Sequence, residues 1–120
     1  LPVLIVECDA ERSRLWQQAI SSLGLNVTVV GTQEDAIRML QTHDYKLMVM
    51  NLDLQGASAL AIADYASYRH PELRIIFLSA SGVFSDGSIF QHAANACAYL
   101  PASTPPSDLA AMVEHYRSAA

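Results

Sequence analysis

Lysine is almost missing from this chain. Of 120 residues, seven are basic, and Lys46 is the only lysine. The arginines Arg12, Arg14, Arg38, Arg69, Arg74 and Arg117 are scattered, and the net charge is −5. No basic stripe exists to neutralise a phosphate backbone, so direct nucleic-acid contact is not expected. Cysteine is scarce too. Cys8 and Cys97 stand far apart and outside any C-x-x-C pair, which argues against a disulfide framework or a zinc site. Both are expected to be buried, reduced thiols. No apolar run approaches the roughly 18–20 residues of a membrane span. The start, Leu1-Pro2-Val3, carries no signal-like segment, so a cytoplasmic setting is expected. It also lacks an initiating Met, and a segment of a longer protein is expected. What is present is apolar material: 52% of residues, against 16% charged. That suits one domain with a real core.

The pattern alternates strand and helix five times. Val3-Leu4-Ile5-Val6 is a continuous apolar run, as for a strand covered on both faces. Asp9 is placed to cap a helix with apolar positions Leu15, Trp16, Ala19, Ile20 and Leu23, ended by Gly24. Leu25 to Val30 reads as strand two, and Thr32 caps a helix carrying Ala36, Ile37 and Leu40. Leu47 to Met50 is strand three. After Gln55-Gly56 a helix is predicted from Ala59 to Tyr68, stopping before Pro71. Arg74 to Leu78 is strand four, followed by a loop over 79–87 and a short helix over 88–94. Asn95 is predicted to end that helix in a left-handed conformation. Cys97 to Leu100 is strand five. Pro105 and Pro106 open a last helix through Leu109, Met112, Val113 and Tyr116. This order argues for an α/β doubly wound parallel sheet between two helix layers.

In such sheets chemistry gathers at the carboxyl ends of the strands. Here those ends hold Glu7, Cys8 and Asp9, then Asn51 and Asp53, then Ser79, then Tyr99 and Ala102. The chain ends strand one with Ile5-Val6-Glu7-Cys8-Asp9 and strand three with Met50-Asn51-Leu52-Asp53-Leu54-Gln55-Gly56. Strand four closes with Phe77-Leu78-Ser79-Ala80, strand five with Tyr99-Leu100-Pro101-Ala102-Ser103. In this order and spacing, the motifs resemble the receiver domain of bacterial response regulators (CheY-like). The resemblance spans essentially the whole chain. It implies a flavodoxin-like sheet in the order 2-1-3-4-5 and a role in two-component or phosphorelay signal transduction.

The departures from that family carry the functional message. Asn51 stands where the family has its phosphoacceptor aspartate, and a carboxamide is not a competent nucleophile there. Cys8 falls at a metal-binding carboxylate position, and sulfur is a poor partner for Mg²⁺. Glu7 keeps an acid beside it, on a longer arm. Ala102 falls where the family has a lysine, and Lys46 lies at the other end of strand three. Phosphoryl transfer needs cations where charge spreads over the transferred group. Ser103 replaces the proline after that lysine, which puts the cis bond common in the family in doubt, since a non-prolyl cis bond costs about 2.5–4 kcal/mol. Ser79 and Tyr99 match the family's switch hydroxyl and switch aromatic. The resemblance implies that Asp53 lies in a loop with its side chain outward.

The sequence therefore predicts a pseudo-receiver, not an enzyme, with no cofactor and at best weak Mg²⁺ binding through Glu7, Asp9 and Asp53. Its partner is expected to be an attached output domain or a second copy. The surface would be helix four, strand five and the last helix, with Ile89, Phe90, His92, Tyr99, Met112 and Tyr116. Three alternatives stay open: an unusual but functional phosphoreceiver, a small-molecule sensor in the vacated acidic pocket, and a redox role for Cys8. His43, His70, His92 and His115 lie on separate elements, and no Ser–His or Cys–His catalytic pair can be argued.

Overall fold

The computed structural model describes residues 2–54, 58–80 and 95–118. Its elements run β1 (Pro2–Val6), α1 (Ala10–Ser21), β2 (Asn26–Val30), α2 (Gln33–Thr42), β3 (Leu47–Asn51), α3 (Ala59–Arg69), β4 (Arg74–Ser79), β5 (Ala96–Pro101) and α4 (Pro106–Ser118). The helix predicted over 88–94 and most of the loop before it lie outside the described residues. All strand pairs are parallel, and the sheet order is β2-β1-β3-β4-β5, as expected.

The apolar runs become central strands because both sheet faces are covered. Strand side chains alternate between the faces. Val3, Ile5, Val49, Ile76 and Leu78 meet Trp16 and Ile20 of α1 and Leu109 and Val113 of α4. Leu4, Val6, Met48, Met50, Ile75 and Phe77 meet Ala36 and Leu40 of α2 and Ile62, Ala63 and Ala66 of α3. Each fully buried large apolar side chain stabilises the fold by about 1.5–3 kcal/mol.

Local signals end the helices where the sequence places them. Asp9 accepts from the Arg12 N–H at 3.3 Å, and Thr32 from the Asp35 N–H at 3.1 Å. Ser58 caps α3 in the same way, a cap the sequence reading missed. Gly24 has φ +82°, a conformation that suits glycine after α1. Asn95 corrects an expectation: among the described residues no non-glycine has positive φ. Its carbonyl instead accepts from the Ile75 N–H at 3.1 Å, so the chain is already extended into the β5 ladder.

β5 contains a bulge. Ile75 pairs with Ala96, but Ile76 pairs with Ala98, so Cys97 is an extra residue. The phase of the strand shifts by one. Cys97, Ala98 and Leu100 therefore pack on the α1–α4 side, while Ala96 and Tyr99 pack on the α2–α3 side.

Candidate functional site

The register Val6↔Met50 brings the next two residues, Glu7 and Asn51, side by side at the carboxyl edge of the sheet. Glu7 is 2% exposed and its carboxylate is held by three donors. Oε2 accepts from Asn51 Nδ2 at 2.7 Å and from Arg12 Nη1 at 3.5 Å. Oε1 accepts from the Asp9 N–H at 3.0 Å. Asn51 is itself 3% exposed, and its Oδ1 accepts from the Asp53 N–H at 2.8 Å. The partners fix the amide orientation: a carboxylate only accepts and a backbone N–H only donates. A buried carboxylate left without such donors would cost several kcal/mol.

Asp53 departs from expectation. Its side chain turns toward the end of β4 rather than outward. Ser79 Oγ donates to its two oxygens at 3.2 and 3.1 Å, and the Ala80 N–H donates to Oδ2 at 2.7 Å. The cause is local and tertiary at once. Asn51 Oδ1 captures the Asp53 N–H, Leu54 is buried just beyond, and β4 lies next to β3 with Asn51 opposite Leu78.

The expectation for the thiols also needs correction. Cys8 is exposed, because Glu7 takes the inward position at the end of β1. Cys97 is half-buried at the bulge, and burial pushes its thiol up to about 11, against a smaller lowering by Arg74. Asp9 is exposed, and its carboxylate is taken up as the α1 cap.

Ser79 is 2% exposed, and its carbonyl accepts from the Ala102 N–H at 2.9 Å. Ala102 is half-buried, and its bond to Ser103 is trans, as are all bonds among the described residues. Lys46 pairs with Glu72 at 3.5 Å at the amino end of β3. At about 3.3 Å per residue, that is roughly 16 Å of strand from Asn51. Tyr99 lies opposite Phe77 and stacks on it, with ring centroids 5.3 Å apart and planes at 14°. Burial raises the Tyr99 hydroxyl above its ordinary pKa.

The structure places Glu7, Asn51, Asp53 and Ser79 in one hydrogen-bonded cluster and adds Arg12 and the Ala80 N–H, which sequence reasoning missed. Arg12 was legible only as a residue three past the Asp9 cap, and so on the first turn over the strand ends. Mg²⁺ does not fit the residues as they stand. The Glu7 oxygens face N–H donors, and Asp9 and Asp53 turn to other N–H or O–H groups. No group of three His, Cys, Asp or Glu among the described residues could hold a metal ion.

Residues 3–114 match the family described as the response regulator receiver domain. The luminescence regulatory protein LuxO of Vibrio campbellii is 30% identical over 78 residues, which is 65% of this chain and 17% of that protein. The chain thus matches only a small part of its curated relatives. Among solved structures, a CheY-like receiver domain protein from Methanospirillum hungatei JF-1 superposes with TM-score 0.85 at 19% identity, covering 95% of this chain and 90% of that one. The N-terminal domain of a response regulator/sensory box/GGDEF three-domain protein from Carboxydothermus hydrogenoformans gives 0.82 at 22% identity, covering 97% and 93%. At these identities the structures show the fold alone.

Proposed function

The chain belongs to the response regulator receiver domain family, and we propose that it regulates through protein contacts without accepting a phosphoryl group. The observation that carries this reading is the 2.7 Å hydrogen bond from Asn51 Nδ2 to Glu7 Oε2. It commits the acceptor position to an N–H donor aimed at a buried carboxylate. A phosphoacceptor would need the reverse: a carboxylate oxygen free to attack, with cations around it. The nearby cation is Arg12, already paired with Glu7, while the family's lysine position holds Ala102.

The partner in this reading is an attached output domain or a second copy, met at the face of β5, α4 and the segment holding Ile89, Phe90 and His92. Those three residues lie outside the described residues. A groove of about 550 Å³ runs along the described part of that face, lined by Leu100, Pro101, Thr104, Pro105 and Met112. Tyr116 Oη donates to the Cys97 carbonyl at 2.7 Å, tying α4 to β5 so that the face is preset. That this chain matches only 17% of the length of the Vibrio campbellii LuxO protein fits an attached domain. A cytoplasmic setting and a two-component pathway belong to the same proposal. No helix among the described residues is long and apolar enough to cross a membrane.

Beryllofluoride with Mg²⁺, and acetyl phosphate with Mg²⁺, test the reading on the purified chain. Neither is expected to change its NMR spectrum, and acetyl phosphate is expected to add no phosphoryl mass. Saturable beryllofluoride binding or a phosphoryl adduct would overturn it. A chain that stays monomeric to millimolar concentration, with a full-length protein indifferent to substitutions on the β5–α4 face, would overturn the contact surface.

A further inference from the structure

We infer that Asp53 is a resident anion: its carboxylate fills an oxyanion cradle built by Ser79 and Ala80 and keeps external oxyanions out. This rests on the reading above, in which no phosphoryl group is used, and adds how the site is held without one.

The cradle is visible in three contacts. Ser79 Oγ sits 3.2 and 3.1 Å from the two Asp53 oxygens, and the Ala80 nitrogen 2.7 Å from Oδ2. An O–H and an N–H from consecutive residues thus converge on one carboxylate. Backbone N–H groups and serine hydroxyls that converge on one point stabilise an oxyanion there, and donors to an ionised acceptor form short, strong bonds. The 2.7 Å Ala80 contact is at the short end of that range. Ser79 is fixed from below as the last residue of β4, almost fully buried. Ala80 and Asp53 are exposed, so the cradle opens to solvent. An oxyanion of suitable size could reach it if Asp53 were absent.

Asp53 is held there through Asn51. Asn51 Oδ1 holds the Asp53 N–H at 2.8 Å, while Asn51 Nδ2 is anchored on Glu7. One connected set of hydrogen bonds therefore crosses the ends of three neighbouring strands, β1, β3 and β4. A tethered anion competes with free anions at an effective concentration on the order of millimolar. Dilute phosphate is thereby excluded.

The test is ¹⁵N–¹H NMR of the chain and its Asp53→Ala and Asp53→Asn variants, titrated with inorganic phosphate and no Mg²⁺. Both variants are expected to move the Ala80 amide proton upfield, because the charged acceptor is gone. Phosphate is expected to return it downfield, saturably, in Asp53→Ala, and to leave wild type unchanged over the same range. Asp53 is exposed, so the rest of the spectrum is expected to stay in place and report an intact fold. An Ala80 signal that is the same in all three proteins overturns the inference. So does a wild type that responds to phosphate as the variant does, or an Asp53→Ala variant that ignores phosphate. None of these outcomes involves phosphoryl transfer, so they stand apart from the acetyl phosphate result that would overturn the proposed function.

Discussion

Asn51 donates to Glu7 across the carboxyl ends of β3 and β1, 44 residues apart in sequence and 2.7 Å apart in space. The contact has a direction: the Asn51 side-chain N–H donates and the buried Glu7 carboxylate accepts. An aspartate at position 51 would place two carboxylates at that distance.

Asn51→Asp is therefore expected to destabilise the fold by about 2–3 kcal/mol at neutral pH, the scale of a buried carboxylate losing its donor. Two carboxylates in contact hold one proton more tightly than either would alone. The penalty is then largest at neutral pH and shrinks on acidification, as one carboxyl takes up that proton. Urea unfolding of both proteins at neutral and mildly acidic pH checks the sign. Equal stability at neutral pH would contradict the role given to the Asn51 N–H.

The alkaline limb of stability is expected to carry the mark of Cys97. Its thiol stands at about 11 in the fold against 9.0 ordinarily. The folded state keeps a proton that the unfolded chain releases, so stability is full below pH 9.0 and falls as pH rises toward about 11. Burial raises the Tyr99 and Tyr116 hydroxyls from their ordinary 10.0 in the same direction, so they add to the fall from pH 10.0 upward. Cys97→Ala is expected to flatten the first part of this slope in pH-dependent thermal unfolding. An unchanged slope would show that the thiol is not protected.

Thiol labelling separates the two cysteines. Exposed Cys8 is expected to react with iodoacetamide at the rate of free cysteine in the native protein, and Cys97 only after unfolding. Mass spectrometry of the labelled peptides reads this directly. A much faster Cys8 would revive the redox alternative.

Tyr99→Ala is expected to cost about 2 kcal/mol, from lost burial and the lost stack on Phe77. Tyr99→Phe is expected to keep most of that stability because the ring pair remains. Comparable losses in both variants would place the energy in the hydroxyl instead.

Gly24→Ala is expected to cost about 1–2 kcal/mol, the penalty for a Cβ in the left-handed region. No atom within 4 Å opposes the new methyl, so the cost is conformational and not a clash. Gly24→Asn, which tolerates this region better, is expected to lose less in the same thermal unfolding experiment.

The sequence by itself determined the features whose causes lie within a few residues. The run Val3 to Val6 reads as a strand covered on both faces because no polar residue interrupts it. Asp9, Thr32 and Gly24 act on backbone groups within about one turn, so their roles follow from spacing alone. The neutral amide at Asn51 and the uncharged side chain at Ala102 are matters of residue type, read directly at the strand ends. The tertiary structure alone decided where the charges point. Arg12 reaching Glu7, and Asp53 turning to Ser79 and Ala80, depend on which strands are neighbours and in what register. A single extra residue in β5 likewise sets which face Tyr99 packs on, and strand alternation read from sequence has no means of showing a bulge.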